Sequence, residues 1–365
     1  MMIGRGRALV IAAWWVATAS QLAAAQRATP QPPPQHDTEI LMLGTAGGPP
    51  LRADRSEPAT LLIVDGRPYL IDCGIGAARR LAEAGIQSET IRTIFLTHLH
   101  PDHDLGLAAV LADEFQHRDR RDAAPPLGIY GPPQTKALVD AAWRYISIPY
   151  AVFAAEEFAD LGAGVPKQSP FEVHEVDTGV VYRDDLIRVV AVENSHYALM
   201  SAASRAVMKS YSYRFETPHG VIVFTGDTGP SDAVVRLAQG ADVLVAEAHD
   251  SVQAIRSANR TADQNHWSPE RRAGFIAHVT QEALDLRGVG EMAATAHVGS
   301  VVLYHMIPAD PGAFVTGVQR YFAGPVFAGA DLERYCLRAS PPERASGAGP
   351  FGRCQQSERT KPRTP

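Results

Sequence analysis

Thr97-His98-Leu99-His100-Pro101-Asp102-His103-Asp104 follows directly on the apolar run Ile94-Phe95-Leu96, and the reading of this stretch decides the fold. Three imidazoles and a carboxylate stand between His98 and His103. An Ile/Phe/Leu run reads as a buried strand, so the polar stretch lies where that strand ends and the chain turns. Alternation puts His98 and His100 on one side. Pro101 then forces a bend that carries Asp102 and His103 to a second position. Two neighbouring clusters of nitrogen and oxygen ligands suit two borderline-soft cations such as Zn²⁺.

Three later residues complete the set. His196 follows the strand-like Val189 to Val192 in Glu193-Asn194-Ser195-His196. Asp227 lies in Phe224-Thr225-Gly226-Asp227-Thr228, where glycine permits a close turn. His305 ends Val301-Val302-Leu303-Tyr304-His305. Each stands at the carboxyl end of an apolar run, as His98 does, and strand ends gathered at one sheet edge make a natural metal site. Asp72, closing the segment Pro68 to Ile71, is a candidate acceptor for an imidazole N–H, since metal-ligating imidazoles need such partners.

With these residues in place the sequence resembles the metallo-β-lactamase superfamily, and within it the branch containing ribonuclease Z and the zinc-dependent arylsulfatases. Leu43-Gly44-Thr45, Asp72-Cys73-Gly74, Thr97 to His103, Thr225 to Thr228 and Leu303-Tyr304-His305 carry the likeness in order, over about Glu39 to Tyr335. The resemblance implies an α/β fold, an αββα sandwich of two packed mixed β-sheets flanked by helices. It implies one zinc on His98, His100 and His196, another on Asp102, His103 and His305, and Asp227 between them, with Mn²⁺ or Fe²⁺ as other occupants. It also implies a dyad that protonates the leaving group, His266 as acid and Glu247 orienting it, so that Asp102, His266 and Glu247 form the catalytic set. One departure is Ala246, where the branch often has a histidine before the glutamate. Val180-Val181-Tyr182-Arg183-Asp184 and Tyr213 to Thr217 lean towards the arylsulfatase side. His117, His174, His219, His249, His278 and His297 match nothing and read as surface or packing histidines.

The remaining chain supports this architecture. Glu39 to Leu43 reads as a first strand; the glycine run after it lacks the Lys-Ser/Thr ending of a phosphate loop and reads as a turn. Thr60 to Val64 and Pro68 to Ile71 flank Asp65-Gly66, a two-residue hairpin signal. Ala77 to Ala84, Leu105 to Phe115, Thr135 to Tyr145, Ser231 to Gln239 and Pro269 to Thr280 read as helices. Phe171 to Val176, Ile187 to Val192, Tyr211 to Glu216 and Val221 to Phe224 read as strands of a second sheet. Asp242 to Ala246 reads as a buried strand and Val301 to Tyr304 as the last one. Residues 149–170 show no clear period. Strand pairs interleaved with helices suggest two sheets face to face with helices outside.

Composition bounds the rest. The 365 residues are 45% hydrophobic and 20% charged, as in globular domains. Arg5 and Arg7, the apolar stretch Ala8 to Ala17 and Ala23-Ala24-Ala25 form a signal-peptide pattern, with removal expected after Ala25 and a periplasmic or secreted product. A Pro-rich linker then covers 26–37, a hydrolase domain 38–338 and a disordered tail 339–365. No later segment is long and apolar enough to insert stably in a membrane. Of three cysteines, Cys73 reads as buried, whereas Cys336 and Cys354 can pair in an oxidising compartment. The formal charge is −6, which disfavours a large polyanion and leads to the expectation of small-molecule ester substrates and no nucleic acid. The favoured function is an exported binuclear zinc hydrolase of aryl sulfate esters. A ribonuclease Z-type phosphodiesterase acting on small phosphodiesters, a lactonase or β-lactamase, and a non-catalytic binding module are the alternatives. Oligomeric state stays open, with a dimer among the options.

Overall fold

The computed structural model describes residues 37–48, 51–118, 125–156, 164–306, 310–338 and 351–354. The signal peptide 1–25, the linker except Asp37, and the tail except 351–354 lie outside them. β1 (Asp37–Gly44) shows how the layers arise. Ile40 and Met42 point into a core shared by two sheets, while Leu41 and Leu43 point the other way onto helices. Period-two alternation with both faces apolar marks a strand buried on both sides.

β2 (Ala59–Val64) and β3 (Arg67–Ile71) form the expected hairpin. Asp65 and Gly66 both take positive φ, 48° and 83°, as a two-residue turn of the I′ kind requires. β3, β4 (Thr93–Phe95), β5 (Gly128–Gly131) and β6 (Glu172–Glu175) then run parallel. Parallel neighbours need crossovers, supplied by α1 (Ala77–Glu83), by α2 (Pro101–Asp104) with α3 (Leu107–His117), and by α4 (Thr135–Ala154). Two expectations change here. Phe171 to Val176 belongs to the first sheet, as its edge strand β6, because α4 returns the chain beside β5. That helix also runs past Tyr145 and through Pro149, since Val139, Trp143 and Ile146 bury one face of it and outweigh the proline.

The second sheet contains β7 (Gly179–Arg183), β8 (Arg188–Glu193), β9 (Tyr211–Thr217), β10 (Gly220–Phe224), β11 (Val243–Glu247), β12 (Ser300–Tyr304) and β13 (Val326–Ala328), which neighbour one another in chain order. β10 to β13 are parallel. Around them lie α5 (Ala202–Val207), α6 (Asp232–Leu237), α7 (Ser251–Gln264), α8 (Pro269–Gln281), α9 (Leu286–Thr295) and α10 (Pro311–Gln319). β14 (Arg334–Arg338) returns to the first sheet beside β1, and β15 (Gly352–Arg353) caps it. Val301 to Tyr304 is therefore not the last strand. The tail expected to be disordered from 339 is pinned at 351–354 by β15 and the Cys336–Cys354 disulfide.

The order of layers is helix, sheet, sheet, helix. Between the sheets Phe95 packs edge-on or tilted against Tyr130, Tyr182, Tyr213 and Phe215, with ring centroids 5.2–5.8 Å apart. Such pairs contribute about 0.5–1.5 kcal/mol each beyond their buried area. The β7–β8 turn is tied to the first sheet by Asp184. Its carboxylate accepts from the Leu186 and Ile187 amides at 2.8 Å, from Tyr69 Oη at 2.6 Å and from Arg67 at 3.1 Å. The Val180 to Asp184 stretch thus has a structural explanation.

Candidate metal centre

Both sheets present the carboxyl ends of their parallel strands at the same edge, where crevices form in sheets of this kind. The chain leaves β4 through Thr97, whose carbonyl accepts from the Tyr211 amide at 2.9 Å, while Tyr213 Oη donates to Leu96 O at 2.8 Å. Those two bonds clamp the His98 turn to the second sheet. His100 is the N-cap of α2 and Pro101 its first residue, so the expected bend is a helix start. His196 follows β8, Asp227 follows β10, Glu247 ends β11 and His305 follows β12. Close approach at these turns depends on glycine. At Gly226 (φ 58°) a Cβ would lie 2.9 Å from Tyr211 O, and at Gly74 it would lie 2.2 Å from Asp102 O.

All seven residues expected as ligands converge. His98, His100 and His196 form one group with ligand atoms within 4.8 Å of one another; His98, His103 and Asp227 form a second; Asp102, His103 and His305 form a third. Asp227 lies between them, with Oδ1 3.3 Å from His103 Nε2 and Oδ2 3.1 Å from His305 Nε2 and 4.0 Å from His196 Nε2. His305 Nε2 is 3.2 Å from Asp102 Oδ2, and His196 Nε2 is 3.1 Å from His100 Nδ1.

Neighbours fix the rings. His103 Nδ1 donates to Asp72 Oδ2 at 2.8 Å, so Asp72 is the expected acceptor. The other Asp72 oxygen accepts from the Thr97 amide at 2.8 Å, and Thr97 Oγ1 lies 3.0 Å from His98 Nδ1. His196 Nδ1 donates to the Glu282 carbonyl at 2.7 Å. In each of these three rings Nδ1 is engaged and Nε2 is left facing the cluster. His98 Nε2, His103 Nε2 and Asp227 Oδ1 are buried with no hydrogen-bond partner. Buried polar atoms are normally satisfied, so three orphans aimed at one point mark a place for a cation. Nitrogen and carboxylate donors fit zinc or a similar divalent ion.

Electrostatics divide the imidazoles: burial prevails at His196 and His98, whereas at His103 and His305 it is outweighed by the Asp227 charge, which holds both above the ordinary imidazole value. Burial pulls His196 down to about 4 and holds His98 well below the ordinary imidazole value, which keeps both neutral and able to ligate. Burial opposes ionisation of Asp102 and Asp227, yet His305 and His103 bring Asp102 to about 2 and hold Asp227 well below the carboxylate range. Burial and then the Asp227 charge push Glu247 well above it.

The expected dyad is not assembled. Glu247 is buried under the centre, accepting from the Thr228 and Leu284 amides, with Oε2 3.9 Å from His305 Nδ1. His266 is exposed in the turn after α7, at φ 49°, and none of the bonds made by Glu247 reaches it. The histidine beside the metal residues is instead His278, on α8. Its ring centroid lies 5.5 Å from that of His196 and 6.4 Å from that of His100. His278 Nδ1 is 2.8 Å from Glu282 Oε2, and the other oxygen of Glu282 accepts from the Leu199 amide at 2.7 Å. His278, read from sequence as a surface or packing histidine, does pack, but against the candidate ligands themselves. A signal was present in the sequence, because His278 and Glu282 are four apart on a helix and such pairs face each other.

Comparison with known proteins follows this geometry. The profile of the beta-lactamase superfamily domain matches residues 67–306. A ribonuclease Z of Mycobacterium bovis is 31% identical over 303 residues, covering 81% of this chain and 97% of its own. Among solved structures, the metallo-beta-lactamase fold protein YhfI from Bacillus subtilis aligns with TM-score 0.58 at 15% identity, over 82% of this chain and 99% of its own. The short form of human tRNase Z aligns with TM-score 0.55 at 21% identity, over 81% and 98%. The chain belongs to the metallo-β-lactamase superfamily and is a metal-dependent hydrolase with ribonuclease Z homologues.

Two expectations fall with this result. Relatives named ribonuclease Z overturn the preference for an exported arylsulfatase and support the phosphodiesterase alternative instead. They also overturn the exclusion of nucleic acid and the restriction to small-molecule esters. The physical error was to reason from net charge. A local patch sets the field a polyanion meets; on the α7–α8 hairpin Arg256, Arg260 and Arg271 are exposed, beside Glu270 and an Arg272–Asp263 ion pair.

Proposed function

We propose that this chain is a binuclear zinc phosphodiesterase of the ribonuclease Z type, with RNA phosphodiesters as its substrate class. The observation that carries this reading is the convergence of orphaned His98 Nε2, His103 Nε2 and Asp227 Oδ1 in a buried set of seven ligands. His98, His100 and His196 would hold one zinc, Asp102, His103 and His305 the other, and Asp227 both. Zinc so held supplies Lewis acidity and a water acidified to near neutral pH. Asp72, Thr97 and the Glu282 carbonyl keep three rings in the tautomer that leaves Nε2 free. Glu247 sits beneath His305, its Oε2 3.9 Å from Nδ1 of that ring. His278, oriented by Glu282, stands at the mouth, where it would deliver a proton to the departing oxygen.

Export is part of this reading, supported by the N-terminal signal pattern and by a disulfide suited to an oxidising compartment. So is the domain division, with a hydrolase domain over 38–338 after the signal and linker. Three measurements test the proposal: metal content of the purified protein, turnover on RNA and on a bis-aryl phosphodiester compared with an aryl sulfate, and the N-terminal residue of the product recovered outside the cytoplasm. About two zinc ions per chain, phosphodiester cleavage and a start at Gln26 are the expected results. Metal-free protein, or turnover of the aryl sulfate alone, would refute it.

A further inference from the structure

Trp267, Arg271, Phe275, His278 and Glu282 succeed one another at steps of four, four, three and four residues, from just before α8 to its C-cap. That spacing lays them in one stripe along the helix. The stripe is continuous in space. Arg271 lies over the Trp267 ring at 4.4 Å, Trp267 meets Phe275 edge-on at 5.6 Å, and Phe275 lies 6.3 Å from His278. His278 in turn reaches the metal ligands His196 and His100. One end of the row is therefore the reaction centre. Towards the other end Phe275 is 41% exposed and Arg271 is exposed.

An exposed aromatic on a helix is ordinary by itself. Here aromatic rings and a cation run in line into the metal centre, so a substrate whose phosphate sits among the ligands meets His278 first and Phe275 next. Planar bases stack on aromatic side chains whatever their sequence, and guanidinium groups add to that attraction. We infer that the α8 stripe is a stacking platform for the nucleobase adjoining the scissile phosphodiester, with Phe275 and Trp267 as its rings and Arg271 as its cation. The platform selects nucleotide esters over other phosphodiesters. This inference rests on the phosphodiesterase reading and adds the residues that would set its specificity.

The test is calorimetric titration of the zinc-loaded full chain with adenosine monophosphate and with ribose 5-phosphate, which lacks the base. Adenosine monophosphate is expected to bind about tenfold tighter or more, the usual scale of one stacked base. Phe275→Ala, and separately Trp267→Ala, should bring it close to the affinity of ribose 5-phosphate while leaving the latter unchanged, which also shows that the variants are folded. Phe275→Trp should restore the difference. Equal affinities in the wild-type protein, or a difference that survives both alanine variants, overturns the platform alone. Failure of both phosphates to bind brings down the phosphodiesterase reading with it.

Discussion

At the scale of single residues, the seven candidate ligands and the histidine beside them can be separated by what their removal does. Asp227 touches both halves of the cluster, so Asp227→Ala should lower metal content and abolish hydrolysis, read by metal analysis beside turnover. His278→Ala should keep the metal and cut kcat by about 10²-fold or more, the usual contribution of a positioned acid. The loss should shrink on a substrate with an activated aryl leaving group, which needs no proton. His266→Ala, at an exposed turn, should leave both quantities near wild type. The reverse result, with His266 essential and His278 silent, would return the acid to the turn. The sequence points to His266 because it precedes a helix in a familiar way, whereas the place of His278 beside His196 and His100 depends on where α8 is laid down.

At the scale of elements, turns and strand ends do the positioning. Asp184 joins the β7–β8 turn to β3, and its folded carboxyl titrates below the ordinary value of 3.8. Burial opposes this, but the Tyr69 hydroxyl and the Ile187 and Leu186 amides outweigh it. A depressed carboxyl gives stability that is present above its unfolded value and is lost as pH falls through the folded one. Asp184→Asn should therefore cost about 1–2 kcal/mol at neutral pH, from the charge-assisted hydrogen bonds lost. The penalty should fade below about pH 4, measured by denaturant melts across that range. A cost that stays constant with pH would remove the charge from the account. At the β10 end, Gly226→Ala would force a Cβ against Tyr211 O in a left-handed backbone. It should destabilise the fold and displace Asp227 together, seen as weaker metal retention.

At the scale of the whole molecule, two sheets meet at one edge, and the last strand pair is held by a covalent bond. The Cys336–Cys354 link closes a loop with a sequence separation of 18 residues, for which the chain-entropy account gives about 3 kcal/mol. Cys354→Ser should lower the melting temperature while leaving metal content and turnover intact, because β15 lies on the far side of β14 from the site-bearing strands. Equal melting of the variant and of wild type would show that β15 adds nothing to the fold.

The sequence by itself determined the αββα architecture and picked out the seven residues that converge as candidate metal ligands. Both are written in local signals: apolar runs that end in His or Asp, a proline that starts a helix, and a two-residue turn that demands positive φ. Those constraints act over a few residues and are legible one by one. Only the tertiary structure decided that Glu172–Glu175 edges the first sheet, that β14 closes beside β1, and that Glu247 lies under His305 rather than beside His266. It also placed an exposed stretch of α8 in line with the candidate metal ligands. The reason is that sheet neighbours and site walls depend on which surfaces pack after the chain has crossed the molecule. The residues involved are far apart in sequence, so no pattern within either partner specifies the pairing.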